Sequence, residues 1–113
     1  MPSVLSVRFY RTATGKEPVR DWLVEHVSLG ARKAIGTDIK TVQLGWPIGM
    51  PVVRKLKPGL WEVRSTIPEG IARVLFTVVG ADMVLLHGFV KKTQVAPKAD
   101  LALAVLRMKE VHA

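Results

Sequence analysis

The spacing of apolar residues predicts one strand and two helices in the first part of the chain. Residues 4–10 alternate between polar and apolar side chains, which is typical of a half-buried strand. Residues 14–17 have the spacing of a helical capping box, and residues 18–27 then carry an apolar stripe at helical spacing. Gly30 separates this segment from a second apolar stripe over residues 31–42. So short a link predicts an antiparallel helical hairpin.

The second part of the chain is predicted to be a sheet closed by a helix. Glycine and proline are too dense over residues 45–51 for regular structure, so this segment is a connector rather than a domain boundary. Strands are predicted at 52–57, 59–66, 71–79 and 83–90, and Pro97 opens a last helix. Its predicted inward residues are Leu101, Ala102, Val105 and Met108.

This order of elements predicts an α+β fold. An N-terminal strand and a helical hairpin pack on an antiparallel β-meander, and a C-terminal helix follows. A chain of 113 residues has room for one compact core, so residues 1–113 form a single domain.

The two central strands form a hairpin whose register follows from its loop. If residues 67–70 form the loop, paired residues have numbers that sum to 137, and Arg64 lies directly opposite Arg73. Like charges in that position destabilise a sheet, so an anion is expected to bridge them, and a phosphate suits two guanidinium groups. The arginine face is predicted to be open, because the helices cover the other face. Arg73→Ala is therefore expected to keep the fold and abolish function.

The charge balance indicates a polyanionic partner. Lys and Arg number 17 against 9 Asp and Glu, which gives a formal charge of +8 and a pI near 10.3. The chain has no cysteine, which excludes disulfides and thiolate metal sites. The start of the chain is too polar for a signal peptide, and no apolar run is long enough to span a bilayer, so a cytoplasmic protein without a membrane partner is expected.

Basic residues collect on neighbouring strands of the predicted sheet. Arg54, Lys55 and Lys57 lie on the strand that enters the sheet and are candidates for RNA binding. Lys91 and Lys92 stand where the last strand leaves it. For any single lysine, a solvated surface position is the simpler interpretation.

His87 lies in an apolar strand, and its role depends on the register after Val79. If the numbers of paired residues on the last two strands have an even sum, His87 lies beside Arg73 on the open face. If the sum is odd, His87 lies in the core. Glu62 neighbours Arg64 diagonally and could neutralise part of its charge.

No carboxylate cluster suits magnesium, and the histidines are too scattered for zinc, so no metal or cofactor is predicted. Phosphodiester chemistry without a metal is possible on RNA, whose 2′-hydroxyl is an internal nucleophile. Such a site needs a base, cations for the phosphate and an acid for the leaving 5′-oxygen.

Three runs of the sequence carry a family resemblance. They are LKPGLWEVR at 56–64, ARVLF at 72–76, and LLHGFVKKTQ at 85–94 with Pro97 after it. Together they closely resemble the phage-derived, HigB-like branch of the RelE/ParE toxin superfamily, over roughly residues 5–110. The resemblance implies a RelE-like fold and the toxin of a type II toxin–antitoxin pair. It also implies a helix-turn-helix antitoxin and cleavage of messenger RNA on the ribosome without metal.

The resemblance also suggests roles for individual residues. Arg64 and Arg73 match basic strand positions and are expected to bind the scissile phosphate, whereas Lys91 or Lys92, with His87 if the register allows, is expected to move protons.

The chain departs from the wider family at two positions. Glu62 stands where ribosome-dependent members often have a lysine, and it is a minor candidate for the base. Those members often have a tyrosine near the C-terminal segment, whereas the one tyrosine here is Tyr10.

Two other functions remain open. A non-catalytic toxin on the same fold, like the gyrase-inhibiting branch, needs a basic surface but no proton-transfer groups. A plain nucleic-acid-binding module is the third possibility. The sheet pattern offers no exposed aromatic residues, which argues against recognition of single strands by stacking.

Overall fold

The protein is described by a computed structural model over residues 4–49, 51–91 and 97–113, and its fold is α+β. The elements, in chain order, are β1 (Ser6–Phe9), α1 (Pro18–Glu25), α2 (Leu29–Gly45), β2 (Val53–Lys57), β3 (Leu60–Ile67), β4 (Gly70–Val79), β5 (Asp82–Lys91) and α3 (Lys98–His112). The predicted class and order of elements are confirmed. None of the helices in the described ranges is long and apolar enough to cross a membrane.

The strands form one mixed sheet in the order β1-β5-β4-β3-β2. Strands β2 to β5 are an antiparallel meander, as predicted, and β1 pairs with β5 in parallel. The two helices carry the chain from β1 to β2, the opposite edge of the sheet. The meander then returns strand by strand until β5 lies beside β1.

The predicted capping box before α1 is wrong. Glu17 occupies the N-cap position without a side-chain cap, and Pro18 begins the helix. The reason is local, because Thr12 Oγ1 accepts a hydrogen bond from the Lys16 amide and Thr12 and Thr14 hydroxyls contact each other. These threonines close their own turn instead of capping the helix.

The boundary between the two helices also differs from the prediction. Ser28 is the N-cap of α2, and its Oγ accepts a hydrogen bond from the Ala31 amide at 3.2 Å. The helix begins at Leu29, so Gly30 lies inside the first turn rather than before it. A serine side chain satisfies a free amide at the helix start, which glycine cannot do.

One apolar cluster lies between the sheet and helices α1 and α2. Its fully buried members include Phe76, Leu85 and Ile35. Trp46, which directly follows α2, packs edge-to-face on Trp61 with ring centroids 4.9 Å apart and so lies at the junction between helix and sheet.

Close packing also explains a glycine in this region. A Cβ at Gly88 would lie 2.5 Å from the Trp22 ring, and the indole therefore requires glycine there.

Helix α3 packs on the other face of the sheet, which the sequence predicted to be open. This prediction is wrong: Leu60, Leu75, Val84 and Leu86 form a second buried cluster with Ala104 of α3. Leu101, Val105 and Met108 pack against this cluster as predicted, whereas Ala102 is exposed and Ala104 takes the inward position. The cause is the apolar half of this face, which needs a cover of its own.

Candidate functional site

The predicted pairing of Arg64 with Arg73 across β3 and β4 is confirmed. The hairpin turns at Pro68 and Glu69, and Ile67 pairs with Gly70. The residue numbers of each pair therefore sum to 137, as expected. Alternation along the strands places both arginine side chains on the α3 face, where the sheet is not fully covered.

The anion beside these two arginines is Glu62 of the same chain. Its Oε1 accepts a hydrogen bond from Arg73 Nη1 at 2.6 Å and lies 4.0 Å from Arg64 Nε. Glu62 is 3% exposed and Arg73 is 8% exposed. The opposed pair is therefore relieved internally, and it does not by itself require an outside phosphate.

The two arginine residues also line different grooves. Arg73 lines a cleft of about 280 Å³ beside the start of α3. Arg64 lines a separate groove of about 610 Å³, together with Asp38 and Thr37 of α2 and with Pro51. The two arginines therefore share Glu62 but line different grooves.

We call the first of these surfaces the cationic cleft. Its charged lining residues are Arg54, Glu62, Arg73, Lys91 and Lys98. Its apolar lining residues are Leu56, Leu75, Phe89, Pro97 and Leu101. Four cations and one carboxylate give a formal lining charge of +4 − 1 = +3. Such a surface attracts a polyanion.

The backbone register brings these side chains together. Arg54 pairs with Glu62, and Glu62 pairs with Leu75, which pairs with His87, so these four form one row across β2 to β5. In the next row, Arg73 lies opposite Phe89. Lys91 follows Phe89 by two residues and so shares its face.

A bulge places His87 on the α3 face. Along β5, Leu85 before the bulge pairs with Phe76, and the two residue numbers have an odd sum. His87 after the bulge pairs with Leu75, and these numbers have an even sum. Both registers considered for the sequence therefore occur, one on each side of the bulge. His87 Nε2 lies 2.5 Å from Asp100 Oδ1 of α3, so this ring holds the first turn of α3.

The predicted RNA-binding residues of β2 separate. Arg54 lines the cationic cleft, and Lys57 lines a neighbouring groove with Lys98. Lys55 pairs with Trp61, whose ring packs in the cluster on the opposite face. A register shift between Lys55 and Lys57 changes the alternation at this end of β2. Lys92 lies outside the described residues.

The far end of α3 is held by a second set of polar contacts. The Tyr10 hydroxyl donates a hydrogen bond to Glu110, and the Arg107 guanidinium lies 5.1 Å from the centre of the Tyr10 ring. The hydrogen bond to Glu110, reinforced by burial, raises the pKa of Tyr10 above its ordinary value. This tyrosine therefore anchors α3 and is not among the residues lining the cationic cleft.

Two members of the cleft were missed in the sequence. Lys98 belongs to the cleft because α3 begins there, seven residues of chain beyond Lys91. Phe89 also lines the cleft, where it is half-buried, so one aromatic residue contributes to this surface. Both follow from the position of α3 over the sheet. A short distance in sequence between Lys91 and Lys98 was the available clue to the first.

Within the ranges that the structure describes, no group of three or more His, Asp or Glu side chains could hold a metal ion. The charged residues of the cleft are instead suited to binding an anion directly, through guanidinium and ammonium groups.

Comparison with known proteins identifies the family. The model of the family described as "Phage derived protein Gp49-like (DUF891)" matches residues 22–109, which is 88 of the 113 residues. No curated protein matches the chain significantly. The matched range includes the whole cationic cleft, from Arg54 to Leu101. The chain therefore belongs to the phage-derived Gp49-like family, a family of RelE/ParE-like toxins of toxin–antitoxin pairs.

Proposed function

We propose that this protein is a toxin that cuts messenger RNA on the ribosome without a metal ion, and that it does so in the cationic cleft. The observation that carries the proposal is the buried Arg73, fixed by Glu62 and surrounded by Arg54, Lys91 and Lys98. The inhibitor of this toxin would be a helix-turn-helix antitoxin, and the toxin would act in the cytoplasm.

Arg73 is the proposed ligand of the scissile phosphate. Its Nη1 is held by Glu62, and its Nε is buried without a hydrogen-bond partner among the residues that the structure describes. A guanidinium that lines a cleft can bind a phosphate oxygen through the amino groups that face the cleft. Because it is already fixed, it can stabilise the charge that develops on the phosphate without reorganising.

Glu62 is better suited to positioning than to the base role considered for the sequence. It is 3% exposed, and its oxygen is engaged by Arg73. A buried carboxylate that fixes a guanidinium orients the phosphate ligand. Arg64 lies 4.0 Å from the same oxygen and would support this arrangement from behind.

Lys91 is the proposed proton-transfer residue, because it lines the cleft whereas His87 is paired with Asp100. In the proposed reaction the RNA 2′-oxygen attacks phosphorus and loses its proton to a base. The bond from phosphorus to the 5′-oxygen breaks, and an acid donates a proton to that oxygen. Lys98 is the second ammonium group of the cleft and a candidate for the other transfer.

The ribosome would supply the orientation of the substrate. The cleft offers cations but no histidine and no free carboxylate near Arg73, within the described ranges. Fixing the 2′-oxygen in line with the phosphorus can account for several kcal/mol of the barrier. The proposal therefore expects slow cleavage of free RNA and fast cleavage of translated RNA.

The test is to express the wild type and two variants in a translating extract and to map the 5′ ends of the mRNA. Arg73→Lys keeps the charge in the cleft but removes the guanidinium fork, and Arg20→Ala removes an exposed arginine of α1. We expect cuts within codons for the wild type and Arg20→Ala, and a loss of about 100-fold for Arg73→Lys, the size of effect that one oxyanion-binding donor has elsewhere.

Two results would contradict this function. Equal cleavage by Arg73→Lys would remove the cleft from the mechanism. Intact mRNA together with arrested DNA replication would indicate a toxin that binds its target without cutting RNA.

Lys91→Arg tests the proton-transfer role separately. The variant keeps a cation in the cleft but cannot give up a proton. We expect RNA binding to persist and the cleavage rate to fall by at least about 100-fold, within the range typical of acid–base catalysis. Lys33→Arg on the exposed side of α2 is the matched control.

A further inference from the structure

Two rings lie stacked at the edge of the cationic cleft. The centroids of His87 and Phe89 are 5.7 Å apart and their planes differ by 28°. Phe89 lines the cleft, while His87 stands behind it and is bound to Asp100.

The Phe89 ring lies beside the proposed phosphate ligand. Phe89 is directly opposite Arg73 on the neighbouring strand, and Lys91 follows on the same face. Neighbouring strands lie roughly 4.8 Å apart. A flat apolar side chain and a cation thus stand at directly paired positions of adjacent strands.

The ring is also held in place before any ligand arrives. His87 is fixed from α3 by Asp100. Gly88, which lies between His87 and Phe89 in the sequence, packs against Trp22 on the other face of the sheet. A ligand that stacks on Phe89 therefore does not have to order a loose side chain, and this lowers the entropy cost of binding.

Packing in the core does not account for the whole Phe89 side chain, because part of it remains exposed in the cleft. Phe89 packs in part against the cluster under α3, but it stays partly exposed and is an apolar member of a lining with four cations. Proteins bind single-stranded nucleic acid with cations that contact its sugar–phosphate backbone and with aromatic side chains on which its bases stack.

We propose that Phe89 is the stacking platform for one unpaired base of the RNA whose phosphate Arg73 binds. This inference rests on the proposed function for the identity of the ligand. Stacking uses the face that every base has, so the subsite is tolerant of sequence. It requires an unpaired base, so the cleft selects single-stranded RNA and disfavours duplexes.

The experiment compares two short single-stranded RNAs at physiological salt, both with 2′-O-methyl groups that prevent cleavage. One carries all its bases, and the other is abasic at a central nucleotide. The protein variants are the wild type, Phe89→Leu and Phe89→Tyr. A 2-aminopurine at the central position gives a second measurement, because its fluorescence is quenched when it stacks.

We expect the wild type to bind the complete RNA about 5- to 150-fold more tightly than the abasic RNA, the range that base stacking gives. Phe89→Tyr should keep this preference and the quenching, and Phe89→Leu should reduce the preference to less than about twofold. Circular dichroism and the urea midpoint show whether Phe89→Leu is folded. If it is not, the wild-type preference, the quenching and the Phe89→Tyr result decide the question.

Failure of this inference differs from failure of the function. Equal binding of the two RNAs by a wild type that still cuts translated mRNA would overturn the Phe89 subsite alone. A persistent preference in a folded Phe89→Leu would place the base elsewhere. A wild type that neither binds these RNAs nor cuts mRNA would overturn both proposals.

Discussion

The sheet face under α1 and α2 is covered by one apolar cluster, whereas the face under α3 is apolar at one end and charged at the other. On the first face, the fit of Trp22 to Gly88 and of Trp46 to Trp61 fixes the helices. On the second face, α3 is also fixed by hydrogen bonds at both ends, from His87 to Asp100 and from Tyr10 to Glu110.

This difference separates stability from the candidate activity. Burial of apolar area is the main favourable contribution to folding. A buried ion pair such as that of Glu62 and Arg73 contributes little net stability, because both charges lose their hydration. The protein therefore keeps charges at the α3 face for a reason other than stability, and ligand binding is the reason that we propose.

The largest effect is expected from truncation on the apolar face. Phe76 is 0% exposed, so Phe76→Ala removes a fully buried ring and leaves a cavity. We expect the free energy of unfolding to fall by about 3–5 kcal/mol, measured by urea denaturation. Leu101→Ala, at the half-buried edge of the cleft, is the matched truncation on the other face and should cost less. Equal costs would show that the two faces do not differ in this way.

The next effect comes from breaking the buried ion pair. Arg73→Ala leaves Glu62 buried without its hydrogen-bond partner and with only the longer contact to Arg64, so we expect a loss of about 3 kcal/mol in the free energy of unfolding. The expectation from sequence, that this variant keeps the fold unharmed, is revised by the burial of Glu62. Loss of toxicity in Arg73→Ala alone would therefore not identify a role in catalysis.

The double variant Arg73→Met with Glu62→Leu separates the two roles. It removes both charges together and should recover most of the stability lost in Arg73→Ala, while mRNA cleavage stays lost. Recovered cleavage in this double variant would show that the pair is structural.

The register of this region shows how much could be predicted from sequence. The pairing of Arg64 with Arg73 was predictable because alternation and loop length determine a hairpin. The face on which His87 lies was not predictable. Phe76 pairs with Leu85 and Leu75 pairs with His87, so β5 has one extra residue at this bulge, and the extra residue moves His87 from the core side to the α3 side. A bulge leaves no clear trace in the alternation where a strand is apolar on both faces, as β5 is at residues 83–86.

The position of α3 accounts for most of the rest. Its apolar residues predicted a helix that packs somewhere, but not the face that it covers. The place of Lys98 in the cleft and the bond from Asp100 to His87 both depend on that face. The pairing of Arg73 with Glu62 depends on side-chain rotation, which residue spacing alone does not determine.

A smaller loss is expected from Gly88→Ala. The added Cβ would lie 2.5 Å from the Trp22 ring, so the indole or the strand must shift. Overpacking of this kind costs about 1–3 kcal/mol, measured by urea denaturation. With Trp22→Leu as the second change, the double variant should lose less than the sum of the single losses. Strictly additive losses would mean that the two residues do not restrict each other.

The smallest effect is expected at the Tyr10 anchor of α3, and it depends on pH. Tyr10→Phe removes the hydrogen bond to Glu110 and should cost about 1 kcal/mol at pH 7. Because the pKa of Tyr10 is raised in the folded protein, the unfolded chain loses this proton first as the pH rises. The contribution of Tyr10 is therefore complete below its ordinary pKa of 10.0 and is lost as the pH rises through the raised value. Urea denaturation of both proteins at pH 7, 9 and 11 measures this, since lysine ionisation affects both alike. A difference between them that stays constant to pH 11 would show that the hydroxyl does not anchor α3.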